Sequence, residues 1–185
     1  MLYIYPGEKG AAYSCTFRSH TTNMNTLVSF LVVFVAAVSA GRLTDHRASR
    51  CPDPFEILDD VHCILIDPFI ARTYSEALAF CKSHGGQLVA VENCDDLINI
   101  YDYINEEEFV MKQNYWLGAS DAAKEGSWLW QHNKGQVPMG VPYWHYGEPN
   151  SGNSHNCAIL HVSYNHRWVD VPCTSKYMTI CLRTA

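Results

Sequence analysis

The 185-residue sequence predicts an α+β domain stapled by disulfide bonds. Three observations carry this prediction. The first half holds two helical segments with capping signals. The second half turns to short strand-like runs around one long polar loop. Seven cysteines follow an apolar leader-like run.

The elements can be justified in order. Residues 26–40, TLVSFLVVFVAAVSA, form a single apolar run. It falls short of the roughly 20 residues a bilayer span takes. It ends on Val38-Ser39-Ala40, a small-residue cleavage pattern. Residues 1–40 therefore read as a leader with a signal peptide, with Met24 a possible true start and a short signal anchor the competing reading. Residues 41–50 read as a short polar arm, and residues 51–185 as the domain. Residues 51–66 suggest two short strands about a turn. In residues 73–86, Thr73 and Glu76 form a T-x-x-E capping box, Ala77, Ala79, Phe80 and Cys81 an apolar face, and Gly85-Gly86 a stop. QLVAV, residues 87–91, reads as a strand. Asn93 is a good N-cap for a second helix, with Asp95 and Asp96 in its first turn and Leu97, Ile100, Tyr101 and Ile104 on one face. YWLGAS, SWLW, CAILHV, RWVDV and YMTICL then read as strands, with SYNHR a hairpin turn. The loop from about Gln131 to Asn156 is long enough to be functional or disordered, and Trp144 and Tyr146 argue against disorder.

The net charge is −6, and residues 41–185 carry 11 basic against 18 acidic side chains. Such a surface argues against nucleic acid and anionic membranes as partners. Cys51, Cys63, Cys81, Cys94, Cys157, Cys173 and Cys181 include no C-x-x-C pair, so a disulfide framework is expected rather than a zinc ribbon. Seven is odd, so one cysteine is free or paired elsewhere. There is no G-x-S-x-G elbow and no zinc-protease motif, and nothing ties Ser, His and Asp into a catalytic set. No enzyme is expected. The eight histidines after residue 40, among them His145, His155, His161 and His166, have no metal-ligand spacing and read as solvated loop residues.

Cys81 in AFCKSHGGQLV, then YWLGASD, EGSWLW, EPN, Cys157, WVDVPC and ICL follow one another in an order that resembles the C-type lectin-like domain family, over about residues 51–182. The resemblance implies two helices with small antiparallel sheets, and disulfides Cys81–Cys181 and Cys157–Cys173. Cys51–Cys63 resembles the additional N-terminal bridge of the family's long form. Cys94 has no family counterpart. It is either an interchain disulfide, giving a homodimer, or a buried thiol.

The resemblance also implies a site. In the family the long loop binds calcium, and two adjacent sugar hydroxyls complete the ion's shell. Calcium takes about 6–8 oxygens at ~2.3–2.6 Å. Glu148 and Asn150, flanking Pro149, match the family's ligands, with the proline cis in the family. Asp170 matches the acidic ligand of the strand opposite. EPN implies mannose-type sugars. Two positions depart from the pattern. His155 stands where an acidic ligand is usual and offers nitrogen, which a hard cation disfavours. Val169 replaces an Asn ligand and offers no side-chain oxygen. Ser151, Asn153 and Asn156 are candidates to repair the set. Asp121 and Glu125 match part of a second calcium site whose other positions are Ser151, His155 and Asn156. A turn cap is the simpler reading of Asp121, so one weak calcium site at most is expected. Trp116, Trp128, Trp130 and Trp168 read as core. Trp144 and Tyr146 either stack on a sugar or pack under the loop. The expected function is a secreted, mannose-type lectin that recognises microbial surface glycans in innate immunity. The alternative is a calcium-independent protein-recognition module of the same fold.

Overall fold

The computed structural model describes residues 50–185. The expected leader, the possible start at Met24 and all but the last residue of the arm lie outside the described residues.

Helix α1 spans Tyr74–Ser83. The Thr73 hydroxyl accepts from the Glu76 N–H, and the Glu76 carboxylate accepts from the Thr73 N–H at 2.8 Å, so the predicted capping box forms. At the other end Gly86 N–H donates to the Cys81 carbonyl and Gly85 N–H to that of Lys82. This Schellman closure needs the left-handed residue that Gly85 supplies at φ +76°. The buried face is Tyr74, Ala77 and Cys81. Ala79, expected on that face, is exposed. At 100° per residue it lies well around the helix from both Ala77 and Cys81.

Helix α2 spans Cys94–Asn105, capped by the Asn93 side chain on Asp96 N–H at 2.9 Å. Leu97, Ile100 and Ile104 are buried as the periodicity predicts. A third helix, α3 at Glu108–Met111, was not foreseen. Four residues are too few to show a period.

Among the described residues, eight strands make the sheet. They are β1 Glu56–Ile57, β2 His62–Arg72, β3 Gln87–Leu88, β4 Tyr115–Ser120, β5 Leu129–Trp130, β6 Cys157–His161, β7 Arg167–Val171 and β8 Tyr177–Thr184. The order is β1-β2-β8-β4-β6-β7, with β3 on β8 and β5 on β4. The expected small antiparallel sheets are fused into one, because β4 meets β8 in parallel at Tyr115 and Met178. The strand expected at residues 87–91 is shorter in the ladder. Val89 still donates to the Ile180 carbonyl and accepts from Gly118 N–H at 2.8 Å. That close crossing explains Gly118, where a Cβ would lie 2.9 Å from the Leu88 carbonyl oxygen.

The three disulfides assigned from the resemblance are present: Cys51–Cys63, Cys81–Cys181 and Cys157–Cys173. Cys81–Cys181 spans 100 residues and ties α1 to β8. In the chain-entropy account such a loop is worth ~4–5 kcal/mol, and a loop like that closed by Cys157–Cys173 about 3 kcal/mol. Cys94 is also disulfide-bonded, which removes the buried-thiol reading.

Two buried clusters fill the interior. One, under the loop, gathers Ile100, Ile104, Leu117, Trp128, Trp130, Trp144 and Trp168. The other gathers the disulfide region with Trp116, Ile159 and Val171. Replacing fully buried Ile100 with Ala removes three methylene equivalents from the first cluster. The expected loss is about 2–5 kcal/mol of unfolding free energy, read as a lower urea midpoint at unchanged slope.

Candidate functional site

The long loop rests on aromatic rings. Trp128 meets Trp144 edge-on at 4.9 Å, Trp144 meets Trp168 at 5.8 Å, and Trp168 meets Trp130 at 5.7 Å. Tyr143 tilts onto Trp168 at 5.0 Å. Trp144 is fully buried, so of the two readings held open for it, packing is the one observed. Tyr146 is the opposite case, 88 % exposed. Backbone bonds then fix the loop to β7. Trp168 N–H donates to the Tyr143 carbonyl, and His145 N–H donates to the Trp168 carbonyl, both at 2.9 Å.

A tight turn follows. Glu148 N–H donates to the His145 carbonyl at 3.0 Å, and Gly147 at its third position has φ +85°. Positive φ there is what a type II turn requires. The next peptide, Glu148–Pro149, is cis. Beyond it Asp170 grips the chain. Its Oδ1 accepts from Asn150 N–H and its Oδ2 from Ser151 N–H, each at 3.1 Å. Ser151 Oγ donates to Asn150 Oδ1 at 2.9 Å, which orients that amide. The backbone therefore brings Glu148, Asn150 and Asp170 together.

Glu148 is the electrostatic anomaly. Its Oε2 is buried with no hydrogen-bond partner. Burial, reinforced by the adjacent Asp170 carboxylate, pushes its pKa up to about 7, while the Asn150 side chain acts the other way. Glu125 is also raised, by partial desolvation and then by the charges of Asp121 and Asp170. Asp121 is buried. Its Oδ2 accepts from Gly126 N–H at 2.9 Å, which is the expected turn cap. Its Oδ1 is buried and unpartnered, as is Asn156 Oδ1 nearby, whose residue's carbonyl accepts from Asp121 N–H. Sequence reasoning did not see these two orphaned oxygens. Among the described residues no ion pair neutralises Asp121, Glu125, Glu148 or Asp170.

Oxygen donors, carboxylates without a counter-charge and an orphaned buried oxygen are groups that a hard divalent cation or a proton would satisfy. Two positions of the family pattern add no side-chain oxygen. Val169 packs against the disulfide-side cluster beside Ile159 and Val171. The His155 Nδ1 lies 3.3 Å from Ser154 Oγ and carries no carboxylate. Among the described residues no three His, Cys, Asp or Glu side chains form a metal-holding group, so amide and backbone oxygens have to complete any shell.

Of the histidines near the loop expected to be solvated, His166 is buried, while His145, His155 and His161 are half-buried. The His145 ring stacks on Tyr164 at 3.7 Å and 15°, and His161 tilts on the same ring at 4.7 Å. His166 is buried, with Nε2 3.1 Å from the Gln113 carbonyl. Desolvation lowers the pKa of both His161 and His166.

The Glu148 shift has a signed consequence. Its folded carboxyl holds a proton more tightly than an unfolded one, which titrates near 4.5. The stabilising contribution is full below that value and is lost as pH rises through about 7. In cation-free buffer the wild type should lose urea resistance relative to Glu148→Gln between pH 4.5 and 8. Parallel pH profiles for the two proteins would contradict this.

The lectin C-type domain family model matches residues 70–183. A perlucin-like protein of Mytilus galloprovincialis is 26% identical over 153 residues, covering 83% of this chain and 95% of the relative. Perlucin of Haliotis laevigata is 34% identical over 116 residues, covering 60% and 70% respectively. Among solved structures, the C-type lectin domain of murine dendritic cell inhibitory receptor 2, in complex with N-glycan, aligns with a TM-score of 0.60. That alignment has 25% identity and covers 73% of this chain and 99% of the receptor domain.

Proposed function

The chain belongs to the lectin C-type domain family, and from that premise we propose that it is a secreted carbohydrate-binding lectin with mannose-type preference. It is a binding module rather than an enzyme. The observation that carries the proposal is the buried, unpartnered Glu148 Oε2 beside Asp170, in a loop whose EPN backbone is already fixed. An uncompensated pair of carboxylates is unfavourable unless a proton or a cation joins it.

Glu148, Asn150 and Asp170 would hold one calcium ion. When bound, the ion supplies coordination positions that two adjacent sugar hydroxyls can fill. The chain's own groups do the rest. The Glu148 carboxylate accepts a hydrogen bond from a hydroxyl, and the Asn150 amide donates one. Asp170 keeps Asn150 in place through the backbone of Asn150 and Ser151, and the His145 carbonyl holds Glu148 N–H. Val169 and His155 leave the shell at the low end of what calcium requires, so affinity for the ion is weak. Microbial surface glycans in innate immunity are the proposed targets. The apolar run at residues 26–40 supports secretion. Among the described residues, no helix is long and apolar enough to cross a membrane.

The apolar packing of Val169 favours one other reading, a calcium-independent protein-recognition module. Affinity chromatography separates the two. The lectin should be retained on mannose-agarose in calcium, released by a chelator and not held on galactose-agarose. Absence of retention on any sugar would favour the protein-recognition module. Combining Glu148→Gln with Asn150→Asp should move retention from mannose toward galactose. Calcium affinity should also fall on acidification through about pH 7, where Glu148 takes up its proton, as read by calcium titration at pH 6 and 8.

A further inference from the structure

Tyr146 is the most exposed large hydrophobic side chain described, at 88 %. It is nevertheless held by rigid backbone. The residue before it is fixed by the His145–Trp168 backbone bond and by the ring stack on Tyr164. The residue after it, Gly147, sets the turn at φ +85°. The turn closes on Glu148 itself, through Glu148 N–H and the His145 carbonyl. Two Cα–Cα steps of ~3.8 Å keep the Tyr146 Cα within about 7.6 Å of that of Glu148. An aromatic ring thus stands beside the proposed sugar position, without side-chain packing of its own.

Burial does not explain an aromatic ring here, and neither does the turn, whose second position accepts most residues. A tyrosine offers a broad apolar face at low entropic penalty, since only two side-chain torsions have to be fixed. The faces of pyranose rings present C–H groups that match such a surface.

We propose that Tyr146 forms a second saccharide subsite, stacking on the sugar residue next to the one held by Glu148, Asn150 and Asp170. The subsite rests on the lectin reading and deepens it. The ligand class becomes an oligosaccharide with a mannose-type terminus, rather than a single sugar. Residues 138–144 do not share this role. Their turn closes over Trp144, through Trp144 N–H on the Gly140 carbonyl and Nε1 on that of Pro138.

Calorimetric titration of the full chain in calcium, with methyl α-mannoside and with an α-linked mannotriose, tests the subsite. Tyr146→Ala should weaken mannotriose binding roughly five- to tenfold and leave methyl mannoside within about twofold. Tyr146→Phe should match the wild type for both ligands, because the ring face carries the contact. An equal loss for both ligands, no loss for mannotriose, or Tyr146→Phe behaving like Tyr146→Ala would each overturn the subsite while leaving the lectin reading standing. A wild type that binds neither ligand removes the lectin reading, and the subsite with it.

Discussion

Trp168 is the residue on which the loop depends. Its ring meets Trp130, Trp144 and Tyr143, and its main chain takes both a donor and an acceptor from the loop. One residue of β7 therefore joins the apolar interior to an otherwise irregular segment. Two positions on, Asp170 lies on the same side of the strand and binds Asn150 and Ser151. The strand's alternation thus delivers packing and chemistry to one face, with a residue between them facing away. That intervening residue is Val169, which goes to the other cluster.

The disulfides act at a different scale. Cys157–Cys173 secures β6 to the segment just after β7, beneath the loop. Cys81–Cys181 closes the domain far from the site. Neither touches Glu148, yet both limit how far β7 can shift against its neighbours. Neighbouring carboxylates such as Glu148 and Asp170, with no counter-charge, repel one another. The covalent links and the tryptophans resist that repulsion, which leaves the carboxylates available for a cation or a proton.

Much of the fold was legible in the sequence. Thr73 with Glu76, and Asn93 before its acidic first turn, are local signals, and local signals survive folding. The cysteine pairing was legible only through resemblance, because spacing alone leaves many connectivities open. The failures are non-local. Whether β4 joins β8 in parallel depends on residues some 60 positions apart. Ala79 reads as apolar and sits outside the core. His166 was misjudged because polarity says nothing of burial against the Gln113 carbonyl. At the site, the motif named Glu148, Asn150 and Asp170. It could not show that Asp170 spends hydrogen bonds on backbone donors, nor that Asp121 and Asn156 each leave an oxygen unpartnered. Those facts exist only once β4, β6 and the loop are assembled.

The turn that carries Glu148 and Asn150 is anchored largely through its own main-chain N–H groups. His145, Glu148, Asn150 and Ser151 are each held by their N–H groups. Main-chain anchors do not depend on which side chain a residue carries. The outward positions of this segment are accordingly a rewritable layer over a fixed frame. Substitutions there can redirect what the molecule recognises without repeating the work of building a fold.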